Sequence, residues 1–116
     1  MADNQRLICA GEELQEKGRG VRFALPEWGE RVTGFVVRYA GKVHGYVNQC
    51  AHVPVELDWQ EGDFFDLTGH YLICATHGAH YDPMTGRCAM GPCKGRSLQP
   101  LVVEERDGNI YLILEQ

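Results

Sequence analysis

Apolar residues in this chain come in short bursts and rarely at helical spacing. Residues 21–25 and 34–39 are β-branched and aromatic runs bounded by glycine or proline, which predicts two strands. Residues 39–42 read as a turn into a further strand over 43–48, a hairpin that delivers the chain to Cys50. A short strand over 71–73 leads in the same way to Cys74, and 102–104 pairs with 110–113 across an Asp107-Gly108 turn. The best helix candidate, 12–17, is thin in apolar residues and is ended by Gly18 and Gly20. Many short strands and abundant turns predict an all-β sandwich or barrel. No internal repeat or low-complexity segment interrupts it.

At 116 residues the chain is expected to be one domain over 1–116, large enough to bury a core without staples. Hydrophobic residues make up 44%, yet no apolar run approaches the length that spans a bilayer, so no membrane segment is expected. The first six residues lack the basic-then-apolar pattern of an export signal, and a cytoplasmic location is expected. A net charge of −5 argues against nucleic acid as a partner. Five cysteines make an odd count, which favours metal binding over a disulfide framework.

Two fragments carry the chemistry: Cys50-Ala51-His52 and Cys74-Ala75-Thr76-His77. Each pairs a thiolate with an imidazole on a tight loop. A zinc finger keeps its cysteine pair apart from its histidine pair, whereas here the order is Cys, His, Cys, His. That interleaving suits a two-iron cluster whose irons differ, both cysteines serving one iron and both histidines the other. A mononuclear zinc site on the same four residues is the alternative, since zinc takes the same ligands.

Beyond the four ligands, the second fragment runs on as His77-Gly78-Ala79-His80-Tyr81-Asp82, then Thr85-Gly86, then Gly91-Pro92, with Leu98, Pro100, Leu101 and Val103 in a following strand. Over about residues 34–114 the chain resembles the Rieske-type [2Fe-2S] proteins, specifically the soluble, low-potential ferredoxins of ring-hydroxylating dioxygenases. The resemblance implies a Rieske-like β base with a small cluster-binding subdomain at about 49–95. It implies one [2Fe-2S] cluster, with Cys50 and Cys74 on the inner iron and His52 and His77 on the outer one, shaped by Gly78, Gly91 and Pro92. Two bridging sulfides, two ferric ions and two thiolates sum to a neutral oxidised site, and one electron makes it −1. Such a group transfers single electrons, at about −150 to +300 mV.

High-potential relatives carry a disulfide between the ligand loops and a serine after the His-Gly pair; this chain has Val55, Thr76 and Ala79 at those places. A low potential is therefore expected, raised modestly by Tyr81. By resemblance the partners are a flavin-dependent reductase and a terminal oxygenase, with no catalysis by this chain alone. The alternatives are a small Rieske subunit of a larger reductase complex, such as a nitrite reductase, and a zinc-binding interaction module.

The 21 residues between His52 and Cys74 exceed the family's usual spacing, and a longer surface loop costs little entropy. They hold Glu56, Asp58, Glu61, Asp63 and Asp66 with no Lys or Arg, a candidate docking face for a basic partner. Cys88 and Cys93 flank the Gly91-Pro92 loop, close enough for a loop disulfide or another metal contact, and are expected to be buried thiols, with Cys9 a core residue. His44 and His70 have no partner spacing and are expected to be structural; His80 could sit near the cluster but is expected to be a solvated loop histidine.

Overall fold

The apolar run at 34–37 is continuous because the strand it forms is covered on both faces. In the computed structural model, which describes residues 5–50, 55–58, 60–74, 78–91 and 95–114, this strand is β3 (Thr33–Tyr39). Before it come β1 (Gln5–Ala10) and β2 (Val21–Ala24); after it come β4 (Lys42–Val47), β5 (Leu72–Ile73), β6 (His80–Tyr81), β7 (Cys88–Met90), β8 (Pro100–Leu101), β9 (Val103–Arg106) and β10 (Asn109–Ile113). They make three antiparallel sheets, ordered β1-β10-β9, β2-β3-β4-β8 and β5-β6-β7. The fold is all-β. The candidate helix at 12–17 is instead a single 3-10 turn, Gly11–Glu13, because its one well-placed apolar residue, Leu14, is already buried at the turn's end.

Successive side chains of a strand point to opposite faces. Val36 therefore packs with Cys9, Leu14 and Ile110 against the β1-β10-β9 sheet, while Phe35 and Val37 pack with Tyr46, Leu57, Phe64, Leu72 and Tyr81 toward the β5-β6-β7 sheet. The rings of Phe35 and Phe64 stack with centroids 3.9 Å apart. The middle sheet thus divides two cores, and the second of them also contains Cys50 and Cys74.

Two tight hairpins match their sequence signals. Ala40 and Gly41 have φ of 55° and 77°, and Asp107 and Gly108 have 53° and 80°, the paired positive values of a two-residue type I′ turn. Arg38 ties the two base sheets together: its guanidinium donates to both carboxylate oxygens of Glu105, at 2.9 and 2.8 Å, and to the carbonyls of Gly11 and Leu14. This pairing holds the Glu105 carboxyl below its ordinary range. Cys9 lies in the base core as expected, where burial pushes its thiol up to about 11. Among the described residues, no helix is long and apolar enough to cross a membrane.

Candidate metal centre

Each candidate ligand cysteine sits just past the end of a strand, at the start of a loop closed in the same way. After β4, the Cys50 amide donates to the carbonyl of Val55 at 2.8 Å; after β5, the Cys74 amide donates to the carbonyl of Ala79 at 2.9 Å. In both loops the closing carbonyl lies five residues beyond the cysteine. The second loop is further braced by the Gly78 amide, which donates to the Cys74 carbonyl at 2.8 Å with Gly78 at φ +73°. Both cysteines carry thiols and are buried, at 4% and 0% exposure. Two buried thiols on equivalent loops in one core are donors suited to iron and sulfide, and they fit such a group. His52, Thr76, His77 and Pro92 lie outside the described residues.

The surroundings of the thiols come from β6 and β7. Tyr81, fully buried on β6, brings its hydroxyl to 3.2 Å from the Cys50 sulfur. A thiolate there accepts from the hydroxyl, which favours whichever state of the site carries more negative charge. Ala79 is also fully buried and offers no donor. Gly91 follows β7 at φ +101°, so close to the second loop that a Cβ on it would lie 2.9 Å from the Cα of Ala79. Only glycine permits that approach. Below, Tyr46 of β4 donates from its buried hydroxyl to the Pro83 carbonyl at 2.8 Å, holding the turn after Asp82 to the base; burial raises its pKa.

The acidic segment is open only in part, at Glu56, Glu61 and Asp63. Asp58 is buried: one carboxylate oxygen accepts from Asn48 Nδ2 at 3.0 Å, and the other accepts from the Gly62 amide at 2.9 Å and lies 3.6 Å from Arg22 Nε. Glu56 accepts from Arg22 and from Thr33 Oγ1. Asp66 caps its own turn through Thr68 Oγ1 and the Gly69 amide. Burial works against its charge, but donors from Thr68, Tyr71 and Gly69, with His80 nearby, outweigh it and keep the carboxyl below its usual range. Glu61 and Asp63 alone of the five remain as exposed acidic side chains without a described side-chain bond.

Two further expectations change. Cys88 is not a thiol but part of a disulfide; the hairpin there folds back so that the Cys88 amide donates to the Arg96 carbonyl at 2.9 Å, which brings the two arms of the loop together. Cys93 lies outside the described residues. His80 is not a solvated loop histidine, since its Nδ1 lies 2.8 Å from the Gly78 carbonyl and its Nε2 3.5 Å from Asp66. Asn48 carries no signal in the sequence and Asp58 shows there only as one of an acidic run, because no spacing rule marks a side chain that braces a ligand loop from outside it. His44 packs in the base, its Nε2 buried without a hydrogen-bond partner.

Residues 4–112 match the family described as Rieske [2Fe-2S] domain. The chain belongs to this family. The Rieske domain implies one [2Fe-2S] cluster, a group that accepts and releases single electrons when bound. Among solved structures, the ferredoxin of carbazole 1,9a-dioxygenase from Nocardioides aromaticivorans IC177 shares the fold at TM-score 0.75 and 19% identity, over 97% of this chain and 100% of that one. The Sphingomonas yanoikuyae B1 ferredoxin matches at TM-score 0.73 and 21% identity, over 95% and 98%. A chain from the complex of reduced oxygenase and oxidised ferredoxin in carbazole 1,9a-dioxygenase matches at TM-score 0.76 and 23% identity, over 97% and 95%. None of the curated proteins matches this chain in sequence.

Proposed function

We propose that this Rieske protein is a single-electron carrier that takes electrons from a flavin-dependent reductase and passes them to a terminal oxygenase, with no reaction catalysed by the chain alone. The observation that carries this reading is the pair of equivalently closed loops with buried Cys50 and Cys74, and the Tyr81 hydroxyl on the Cys50 sulfur. Cys50 and Cys74 hold the inner iron, and His52 and His77 the outer one. Residues of about 49–95 act as the cluster-binding part of a single 1–116 domain. The residues shown around the thiols bind and tune rather than turn over substrate. Tyr81 donates toward a ligand sulfur, Ala79 withholds a second donor, and Gly91 lets the covering loop close on the second box. We further propose a cytoplasmic protein of low potential.

Ferredoxin and oxygenase stand together in the carbazole 1,9a-dioxygenase complex, which supports the choice of acceptor for this chain. The test begins with iron and acid-labile sulfide analysis of the purified holo-protein. Two of each per chain are expected, and one zinc in their place would overturn the ligand reading. Stopped-flow mixing then follows reduction by NADH with a flavin-dependent ferredoxin reductase, and reoxidation by the terminal oxygenase of carbazole 1,9a-dioxygenase. A holo-protein that dithionite reduces but that neither protein oxidises or reduces is not this carrier.

A further inference from the structure

The two ligand loops are closed alike at the cysteine but differently at the neck. In the second loop, the residue two before Cys74 and the residue two after Ala79 are strand partners: Leu72 pairs with Tyr81, and Ile73 with His80, in the β5-β6 ladder. In the first loop the equivalent positions are Asn48, two before Cys50, and Leu57, two after Val55. No described strand follows Cys50 before β5, and among the described residues no ladder closes this neck. A side chain crosses it instead. Asn48 Oδ1 accepts from the Leu57 amide at 2.9 Å, while Asn48 Nδ2 donates to Asp58 Oδ1 at 3.0 Å.

Both partners are almost fully buried, Asn48 at 1% and Asp58 at 5% exposure. A buried amide and carboxylate persist only when their polar atoms are met, and here they are. Asp58 Oδ2 accepts from the Gly62 amide, which has φ +88°, and faces Arg22 of β2. The Asn48 amide donates to the Thr33 carbonyl at 2.8 Å, and Thr33 Oγ1 with Arg22 grips Glu56. The far end of the loop is therefore fastened to β2 and β3.

We propose that Asn48 and Asp58 form a side-chain latch that replaces the missing ladder and positions the first ligand loop for electron transfer. They are positioning residues: the latch acts on Cys50 through the described backbone on either side of it, residues 48–50 and 55–58, which the Cys50 amide joins by its bond to the Val55 carbonyl. It rests on the reading of Cys50 as a cluster ligand.

The test compares Asn48→Ala, Asp58→Ala and the double exchange Asn48→Asp with Asp58→Asn, all as holo-protein. Peptide hydrogen exchange reads the Cys50 and Leu57 amides against the 72–81 ladder. Each single variant is expected to lose protection across 50–58 by roughly tenfold or more, the effect of removing one buried hydrogen bond from a local closing equilibrium, while 72–81 keeps its protection. The reduction potential and the electron paramagnetic resonance line shape should move with it, and the double exchange, which keeps one amide and one carboxylate, should restore all three. If Asp58→Ala yields no holo-protein, Asp58→Asn takes its place, with the same loss at 50–58 expected.

Equal loss of protection in every sheet, unchanged protection at 50–58, or an unmoved potential and line shape would overturn the latch. Cys50→Ala leaves the latch intact and is expected to lose the cluster. If it retained two irons and two sulfides, the ligand reading would fail, whereas the exchange pattern at 50–58 judges the closing of the loop separately.

Discussion

Replacing Tyr81 with phenylalanine removes one hydroxyl from a ring that is fully buried, leaving the packing of the core around Cys50 in place. That hydroxyl lies 3.2 Å from the Cys50 sulfur. With the site neutral when oxidised and −1 when reduced, the hydrogen bond is made to a more electron-rich acceptor in the reduced state. Bonds to neutral acceptors contribute about 1 kcal/mol and bonds to charged ones about 1.5–3, so the reduced state is favoured by about 1 kcal/mol. For one electron, 59 mV corresponds to about 1.4 kcal/mol, so Tyr81→Phe should lower the potential by about 40 mV. A redox titration followed by visible circular dichroism, at one pH and one ionic strength, reads the shift. Tyr46→Phe is the control, because that hydroxyl bonds to the Pro83 carbonyl in the same core and should leave the potential where it is. A Tyr81→Phe shift within about 10 mV of zero, or any upward shift, would refute the claim that this hydroxyl donates to a ligand sulfur.

Gly91→Ala should cost about 1–3 kcal/mol, since it forces a Cβ into a positive-φ site 2.9 Å from the Ala79 Cα; thermal unfolding of the holo-protein checks this, and an unchanged midpoint refutes it. Burial depresses the His44 pKa in the fold. The unfolded chain therefore binds that proton more readily, so stability is full above about pH 6.5 and falls as pH drops toward the folded value. Urea unfolding at about pH 7.5 and about pH 5.5 should show a smaller drop in His44→Leu than in the parent. Dithiol reduction of the Cys88 disulfide should lower stability by on the order of 2 kcal/mol, and Cys88→Ser should lower it as much while becoming insensitive to the reductant. Equal reductant sensitivity in both proteins would count against it.

The sequence displays most plainly those elements whose cause is local. The β3–β4 hairpin is legible because Ala40-Gly41 and the apolar runs beside it need no distant partner, and the same holds for Asp107-Gly108 between β9 and β10. Strand β1 is not legible, for its half-exposed residues are held by β10, about a hundred residues away in sequence, with a bulge between Leu7 and Cys9. β6 and β7 have two and three residues and exist only through their pairing. At the site, Cys50 and Cys74 show themselves by motif, while Asn48 and Asp58 do not. A carboxylate in an acidic run looks solvated until the fold supplies Asn48, Gly62 and Arg22 around it. The disulfide at Cys88 is one of the options that the five-residue spacing of Cys88 and Cys93 leaves open, and the odd cysteine count does not choose it.

Because Val36 belongs to one core and Phe35 and Val37 to the other, strand β3 cannot be assigned to either half of the molecule. Grafting residues 49–95 onto a foreign scaffold would leave Tyr81, Phe64 and both ligand cysteines without the wall they pack against. A working transplant must carry β2, β3 and β4 with it, which makes the smallest portable electron-transfer unit of this chain nearly the whole chain.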